Sequence, residues 1–194
     1  MTKRFADSTV FDDASFSFEH GKIHCIMGVS GGGKTTLLRM LMGLEAPDEG
    51  RIEGMDGLRS AAVFQENRLC ENLSVAANIR MPHAGLKGAR KDAFLARCDA
   101  LLASMGMPDS LARPAHELSG GMKRRVAIAR AVLADADVLF FDEALKGLDP
   151  ETEQRVMDAI VPLLAGKTVF WTTHRAQELR YFESPLLTRI EDLR

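Results

Sequence analysis

The sequence predicts an α/β fold in which helices cover both faces of a mostly parallel sheet. Short apolar runs alternate with helix-forming stretches, one apolar run leads through a glycine-rich loop into a helix, and another ends in two carboxylates. Such alternation is typical of parallel sheets. With 194 residues, the chain is long enough for a single domain with its own core. We expect this domain to have a core of residues 1–65 and 119–194, an antiparallel β subdomain at its N-terminus, and a helical insert at about 66–118.

The glycine-rich loop at residues 28–36 fits the pattern G-x-x-x-x-G-K-[ST]. It lies between a predicted strand, residues 23–27, and a predicted helix, residues 37–42, which is the context that a phosphate-binding loop requires. A glycine-rich turn without a ligand is the alternative. Backbone N–H groups and the helix N-terminus would face the phosphates of a nucleoside triphosphate, Lys34 would reach its β- and γ-phosphates, and Thr35 would ligate Mg²⁺. The predicted nucleotide-binding residues are Gly28, Val29, Ser30, Gly31, Gly32, Gly33, Lys34, Thr35 and Thr36.

The remaining elements follow from periodicity and from glycine and proline punctuation. Alternation of apolar and polar residues predicts the N-terminal strands, and unbroken apolar runs predict buried strands. Before and within the insert we expect strands at 10–11, 14–18, 51–53 and 61–64 and a helix at 89–105. Beyond the insert we expect helix 121–133, strand 138–141, helix 151–164, strand 168–171, helix 176–180 and strand 186–190. The fold class is therefore a P-loop NTPase core with a mostly parallel sheet.

Two carboxylates, Asp142 and Glu143, follow the apolar strand at 138–141. Open α/β sheets bind ligands at the carboxyl ends of their strands. Asp142 is placed to hold Mg²⁺, directly or through water, and Glu143 to orient and deprotonate an attacking water. A strand that merely ends in acidic residues is the alternative, and the phosphate-binding loop in the same chain favours the catalytic interpretation.

A second anion cradle is predicted at residues 118–122, Leu-Ser-Gly-Gly-Met. Ser119 is a favourable helix N-cap, and Gly120 and Gly121 leave backbone N–H groups open to an anion. The chain then has two anion cradles, at 28–36 and 118–122, but only one acidic strand end. This is explained if the second cradle closes on the nucleotide that another copy of the chain holds. For at least one residue of the basic run at 123–125 we prefer a solvated helix face.

These residues resemble the ATP-binding subunits of ABC transporters, and the resemblance covers nearly the whole chain. Residues 118–122 are similar to the family signature L-S-G-G-Q, with Met122 in place of Gln. The resemblance assigns further roles by position. Gln65 would contact Mg²⁺ and water, and His174 would lie near the γ-phosphate. Leu148 and Asp149 match the family's D-loop, so Asp149 would be a nucleotide-binding residue, and Phe5 would stack on adenine in place of the usual Tyr.

The resemblance implies a head-to-tail dimer, of this chain with a second copy or with a related subunit, that sandwiches two ATP molecules. Closure of the dimer would be driven by ATP and reversed by hydrolysis. The mechanical output would pass to a separate integral-membrane permease, received by the helical insert just after Gln65. Residues 63–69 and 73–79 look most like subunits of small-solute importers of the nitrate, sulfonate, taurine or thiamine type. A solute-binding protein would then be an indirect partner.

The composition indicates which class of partner and which cellular compartment to expect. Lys and Arg number 25 against 27 Asp and Glu, and the net charge of −2 gives no indication of a nucleic-acid partner. Cys25, Cys70 and Cys98 have no C-x-x-C spacing, so we expect free thiols in a reducing compartment. The N-terminus has no apolar core of a signal peptide, and no apolar run approaches 18 residues. We expect a cytoplasmic protein, peripheral on the cytoplasmic face of the membrane.

Two other function classes remain open at this stage. One is a non-transport ABC ATPase that acts in the assembly of a soluble or cell-division complex. The other is a P-loop metabolic kinase, which would leave residues 118–122 and His174 without a purpose. The nature of the membrane or soluble partner separates the first alternative from a transporter.

Overall fold

Two sheets form the framework of the computed structural model, which describes residues 1–5 and 8–193. Strands β1 (Lys3–Phe5) and β2 (Ser8–Phe11) form an antiparallel pair. The main sheet has the order β4-β5-β6-β3-β7, and all its pairings are parallel. Its strands are β3 (Ile23–Met27), β4 (Ser60–Val63), β5 (Val138–Asp142), β6 (Thr168–Thr173) and β7 (Leu186–Arg189). The predicted fold class, a mostly parallel sheet with an antiparallel N-terminal pair, is confirmed.

The helices alternate with these strands. They are α1 (Lys34–Leu41), α2 (Val75–Arg80), α3 (Gly88–Ser104), α4 (Gly120–Val132) and α5 (Pro150–Ile160). Short segments of 3₁₀ helix lie at Met81–His83, Ala115–Glu117, Val161–Leu164, Ala176–Tyr181 and Ile190–Leu193. The segment 66–118 contains α2 and α3 and contributes no strand to either sheet. Across residues 1–5 and 8–193, no helix is both long enough and apolar enough to cross a bilayer.

The core lies on both faces of the parallel sheet. Val138 and Phe140 of β5 pack with Leu37 and Leu38 of α1 on one face. The alternate positions of β5 join a larger cluster with α3, α4 and α5 on the other face. A strand that is covered on both faces is apolar throughout rather than alternating, which is why 138–141 is an unbroken apolar run.

The predicted strands at 14–18 and 51–53 are wrong, because neither segment pairs with a strand in the structure. The alternation at 14–18 nevertheless corresponds to burial. Phe16 and Phe18 contact each other edge to face at 5.5 Å, and Phe18 packs on Phe170 of β6 at 4.9 Å. Side-chain packing on the main sheet therefore orders this segment without a hydrogen-bonded ladder.

The predicted helix at 151–164 is shorter than expected. The α-helix ends at Ile160 and continues as 3₁₀ helix through Leu164. Pro162 is the cause, because a proline has no backbone N–H and so cannot donate the hydrogen bond that would continue the α-helix. The helix predicted at 176–180 is likewise a 3₁₀ segment.

The three cysteines are free thiols in different environments. Cys25 and Cys98 are buried, whereas Cys70 is exposed. Burial raises the pKa of Cys25 to about 12 and the pKa of Cys98 to about 11. Both buried thiols are therefore protonated at neutral pH and behave as small apolar core residues.

Candidate functional site

The carboxyl ends of four adjacent strands bring the predicted residues to one edge of the sheet. In the order β4-β5-β6-β3, these strands are followed by Gln65, Glu143, His174 and the glycine-rich loop. Parallel strands all end at the same edge, so residues more than 100 positions apart in sequence become neighbours. The sheet topology thus assembles the site.

The glycine-rich loop needs glycine where the chain passes close to other residues. Gly33 has φ +99° and is the N-cap of α1, and a Cβ there would lie 2.6 Å from Val10 Cγ1. A Cβ on Gly28, whose φ is +157°, would lie 2.2 Å from Ile190 Cγ2. The N-terminus of α1 has no side-chain cap, so its N–H groups face the loop. An anion placed there would meet the positive end of the helix dipole.

Lys34 is held against the loop that precedes it. Its side-chain nitrogen donates to the backbone carbonyls of Gly28, at 2.8 Å, and Val29, at 2.9 Å. The residue is 5% exposed. A buried ammonium is costly unless its donors are satisfied, and here the loop satisfies two of its three. The cation is therefore fixed where the loop would hold phosphates.

Asp142 is fixed from two sides by hydroxyl groups. Thr35 Oγ1 donates to Asp142 Oδ2 at 2.8 Å, and Thr172 Oγ1 donates to Asp142 Oδ1 at 2.7 Å. Thr172 is the residue of β6 that pairs with Asp142 of β5. Hydroxyl and carboxylate oxygens are hard donors that suit Mg²⁺, which usually takes one or two protein carboxylates together with phosphate oxygens and water. Together with the nearby Gln65 amide, the side chains present fit that ion.

Three polar side chains of the site contact Glu143. Its carboxylate accepts from Lys146 Nζ at 3.0 Å and from Gln65 Nε2 at 3.4 Å, and its Oε1 lies 3.4 Å from His174 Nδ1. Burial alone would raise the pKa of Glu143, but the contacts with Lys146 and His174 outweigh it and lower the pKa below the ordinary value. The group is therefore a carboxylate at neutral pH and able to accept a proton.

The backbone of Glu143 is strained. Its φ of +47° lies in the left-handed region, which costs a non-glycine residue about 1 kcal/mol. The amide N–H of Glu143 donates to both the carbonyl and the hydroxyl oxygen of Thr172 at 3.2 Å. A strained backbone conformation persists only where surrounding contacts hold it. The conformation of Glu143 in turn sets the direction of its carboxylate.

These groups enclose a cleft of about 170 Å³. Its lining residues are Ser30, Gly31, Gly33, Lys34, Thr35, Thr36, Gln65 and Glu143. Pockets that bury a drug-sized ligand typically measure about 300–1,000 Å³. The cleft in one chain is thus large enough for part of a nucleoside triphosphate and leaves the rest of the ligand open on one side.

The remaining predicted residues lie outside this cleft. Ser119 and Gly120 are exposed at the start of α4, where Ser119 Oγ caps the Met122 N–H at 3.3 Å. Asp149 is exposed and caps α5 through the backbone N–H of Thr152, at 3.0 Å. Gly121 lies close to Leu148, the residue before Asp149, since a Cβ on Gly121 would be 3.4 Å from Leu148 Cδ2. Phe5 is 40% exposed, with Lys3 Nζ 5.0 Å from its ring centroid.

Three residues near the site were not predicted. Lys146 pairs with Glu143, Thr172 holds Asp142, and Arg124 donates to backbone carbonyls around both carboxylates. The i, i+3 spacing of Glu143 and Lys146 was a sequence signal for the ion pair. The other two contacts join separate elements and had no local signal.

Comparison with known sequences identifies relatives of the chain. A family model described as ABC transporter matches residues 11–146. The Nod factor export ATP-binding protein I of Ralstonia nicotianae is 35% identical over 92% of this chain and 59% of that protein. A sulfate/thiosulfate import ATP-binding protein of Chromobacterium violaceum is 38% identical over 92% and 51%, and a taurine import ATP-binding protein of Jannaschia sp. is 37% identical over 86% and 65%. The chain therefore spans about half to two thirds of the length of these relatives.

Solved structures share the fold. The ATP-binding cassette MJ0796, in a dimeric post-hydrolysis state bound to ADP and Pi, superposes with a TM-score of 0.80 at 24% identity. That match covers 97% of this chain and 91% of the other. A bacterial Atm1-family ABC exporter with ATP bound gives a TM-score of 0.77 at 26% identity, over 97% of this chain and 36% of the exporter.

Proposed function

This chain belongs to the ABC transporter family, and on that premise we propose that it is an ATP-hydrolysing motor subunit that drives solute import through a separate membrane permease. The observation that carries the proposal is the single cleft in which Lys34, Gln65 and Glu143 meet at the carboxyl edge of the sheet. Import is the proposed direction because two of the three relatives described above are named as import ATP-binding proteins.

The loop at 28–36 would bind ATP. Lys34 would exchange its bonds to loop carbonyls for the β- and γ-phosphates, and the N-terminus of α1 would face the same charge. Thr35, Asp142 and Gln65 would hold Mg²⁺, which, when bound, neutralises charge on the phosphates. Phe5, the exposed last residue of β1, would supply a ring face for adenine.

Glu143 would act as the general base for ATP hydrolysis. As a carboxylate at neutral pH, it would accept a proton from water that attacks the γ-phosphorus, while the bond from that phosphorus to the bridging oxygen breaks and ADP leaves. Gln65 and His174, each 3.4 Å from Glu143, would orient that water. Phosphoryl transfer depends mainly on positioning and charge, so a fixed carboxylate beside a fixed cation is the arrangement required.

A second copy or a related subunit would complete the site. The cleft in one chain is small and open, while the cradle of Ser119, Gly120 and Gly121 faces outward elsewhere on the same molecule. We infer a head-to-tail dimer in which this cradle, together with Asp149, covers the triphosphate bound by the opposite protomer. A dimeric state is named for the structural neighbour MJ0796, which supports a dimer.

Ser119→Arg tests the dimer. Its large cation would block the cradle, so we expect ATP binding by a single chain to be retained and steady-state hydrolysis to fall by about 100-fold or more. Calorimetry and a phosphate-release assay measure the two effects. Ser104→Arg, at an exposed serine that ends α3, is the matched control. If the Ser119 variant instead lost ATP binding as an isolated chain, the cradle would act on the nucleotide of its own protomer.

We propose that residues 66–118 form a helical subdomain within one ATPase domain, and that the permease docks there. The chain would then lie on the cytoplasmic face of the membrane, and a solute-binding protein would be reached only through the permease. Sulfate, taurine and Nod factor relatives differ in what their names say they transport, so the solute is left open.

Purification of the tagged chain from native membranes tests the transporter assignment. We expect an integral-membrane protein to co-purify at a fixed ratio and, after reconstitution in vesicles, to increase the ATPase rate. A chain that co-purified only with soluble proteins, and whose ATPase they stimulated, would support the assembly-factor alternative instead.

A further inference from the structure

Arg124 of α4 is a buried cation at the back of the ATPase site. It is 3% exposed, and it lies five positions after Ser119, the N-cap of the helix. A buried guanidinium is stable only when its donors are satisfied, because desolvation of a charge is costly. The acceptors that it uses therefore show what the side chain holds in place.

Five backbone carbonyls accept hydrogen bonds from Arg124. They belong to two segments at the carboxyl ends of adjacent strands of the sheet. At the end of β5 and just beyond it the acceptors are Asp142 at 3.0 Å, Glu143 at 2.6 Å and Ala144 at 2.7 Å. Just after β4 they are Phe64 and, at 3.3 Å, Gln65. One rigid, planar group thus joins the backbones that carry Gln65 and Glu143.

We propose that Arg124 is a positioning residue for ATP hydrolysis, because its guanidinium fixes the backbones of Gln65 and Glu143 relative to each other. The inference rests on the proposed function and adds a residue to it. Side chains 3.4 Å apart can meet one water only if their main chains are held, and Gln65 lies on an exposed loop. The strained φ of Glu143 also needs support, and three carbonyls around it bond to Arg124.

The neighbouring arginine has a different task. Arg125 donates to the carbonyls of Met105 and Gly106, at 2.9 and 3.3 Å, and so ties α4 to the end of α3. Its third acceptor is the carbonyl of Gly121, at 3.3 Å and four positions earlier in the chain. Arg125 does not bond to either segment that Arg124 holds. Of these two adjacent arginines, Arg124 therefore holds the segments that carry Gln65 and Glu143, whereas Arg125 contacts the end of α3. A substitution of Arg125 is thus a matched control for the same substitution of Arg124.

The number and geometry of its donors favour an arginine at this position. Burial lowers the pKa of Arg124, while the negative charges of Asp142 and Glu143 act in the opposite direction. A guanidinium remains protonated in proteins, and it presents five donors in a fixed fork, whereas a lysine ammonium presents three on a flexible stem. Lysine would keep the charge and lose the bridge between the segments.

Arg124→Lys tests the proposal in the full-length chain, with Arg125→Lys as the control. We expect the kcat for ATP hydrolysis to fall by about 100-fold in Arg124→Lys, with KM changed by less than about threefold. Arg125→Lys should keep both constants near the wild-type values. A kcat of Arg124→Lys within threefold of wild type, or a fall matched by an equal rise in KM, would overturn the positioning role.

A double-mutant cycle separates positioning from a general loss of folding. If Arg124 acts through Glu143, Arg124→Lys should lower single-turnover hydrolysis much less in the Glu143→Gln background than in the wild type. Equal losses in both backgrounds would mean that the two residues act independently, which contradicts the proposal.

Amide hydrogen exchange gives a readout that does not depend on turnover. In Arg124→Lys we expect faster exchange at residues 64–67 and 143–146, and in Arg125→Lys we expect faster exchange near residue 106 only. Unchanged exchange at 64–67 and 143–146 would count against the inference. A wild-type chain that does not hydrolyse ATP would overturn the proposed function, and this exchange experiment would still decide whether Arg124 holds the two segments.

Discussion

Glu143→Gln should bind ATP with nearly wild-type affinity and hydrolyse it about 10²–10⁴-fold more slowly, the range typical of a lost general base. The amide has the size of the carboxylate and can still contact Gln65 and His174, which lie within 3.4 Å of Glu143. It cannot accept the proton of water. Phosphate release measures the rate, and calorimetry measures the affinity.

The control for this variant is Glu53→Gln, the same change at an exposed carboxylate outside the cleft. Light scattering or gel filtration with ATP should also show a trapped dimer for Glu143→Gln, since the nucleotide that holds the two protomers together is not consumed. Normal turnover in Glu143→Gln would exclude this residue as the base.

Lys34→Ala should weaken ATP binding by about 10- to 150-fold, equivalent to about 1.5–3 kcal/mol for a hydrogen bond to a charged group. The loss has two physical causes. The phosphates lose a cation, and the carbonyls of Gly28 and Val29 lose the donor that shapes the loop. Calorimetry with ATP and Mg²⁺ measures the dissociation constant.

Lys22→Ala, at an exposed lysine just before β3, controls for the loss of one positive charge. The melting temperature of Lys34→Ala should be recorded alongside, because Lys34 is buried in the fold. An unchanged dissociation constant in a folded variant would remove the loop from the ATP site.

Local patterns predicted the elements that position the site. The strand–loop–helix context at 23–42 and the apolar run before Asp142 both correspond to elements of the structure. The strand predictions failed where a segment has no neighbouring strand to pair with. Residues 14–18 alternate in burial as a strand would, yet no described strand lies beside them, so Phe16 and Phe18 pack on side chains instead.

The sequence alone was enough to predict the candidate site chemistry, because the glycine-rich loop, the paired carboxylates and the signature-like turn each lie within a few consecutive residues. The tertiary structure alone decided which groups hold them. Arg124 bonds to carbonyls 18 to 20 positions away on one side and 59 to 60 on the other, and Thr172 reaches Asp142 across 30 positions. Contacts at that distance depend on which strands are neighbours in the sheet, and strand order is a property of the packed chain.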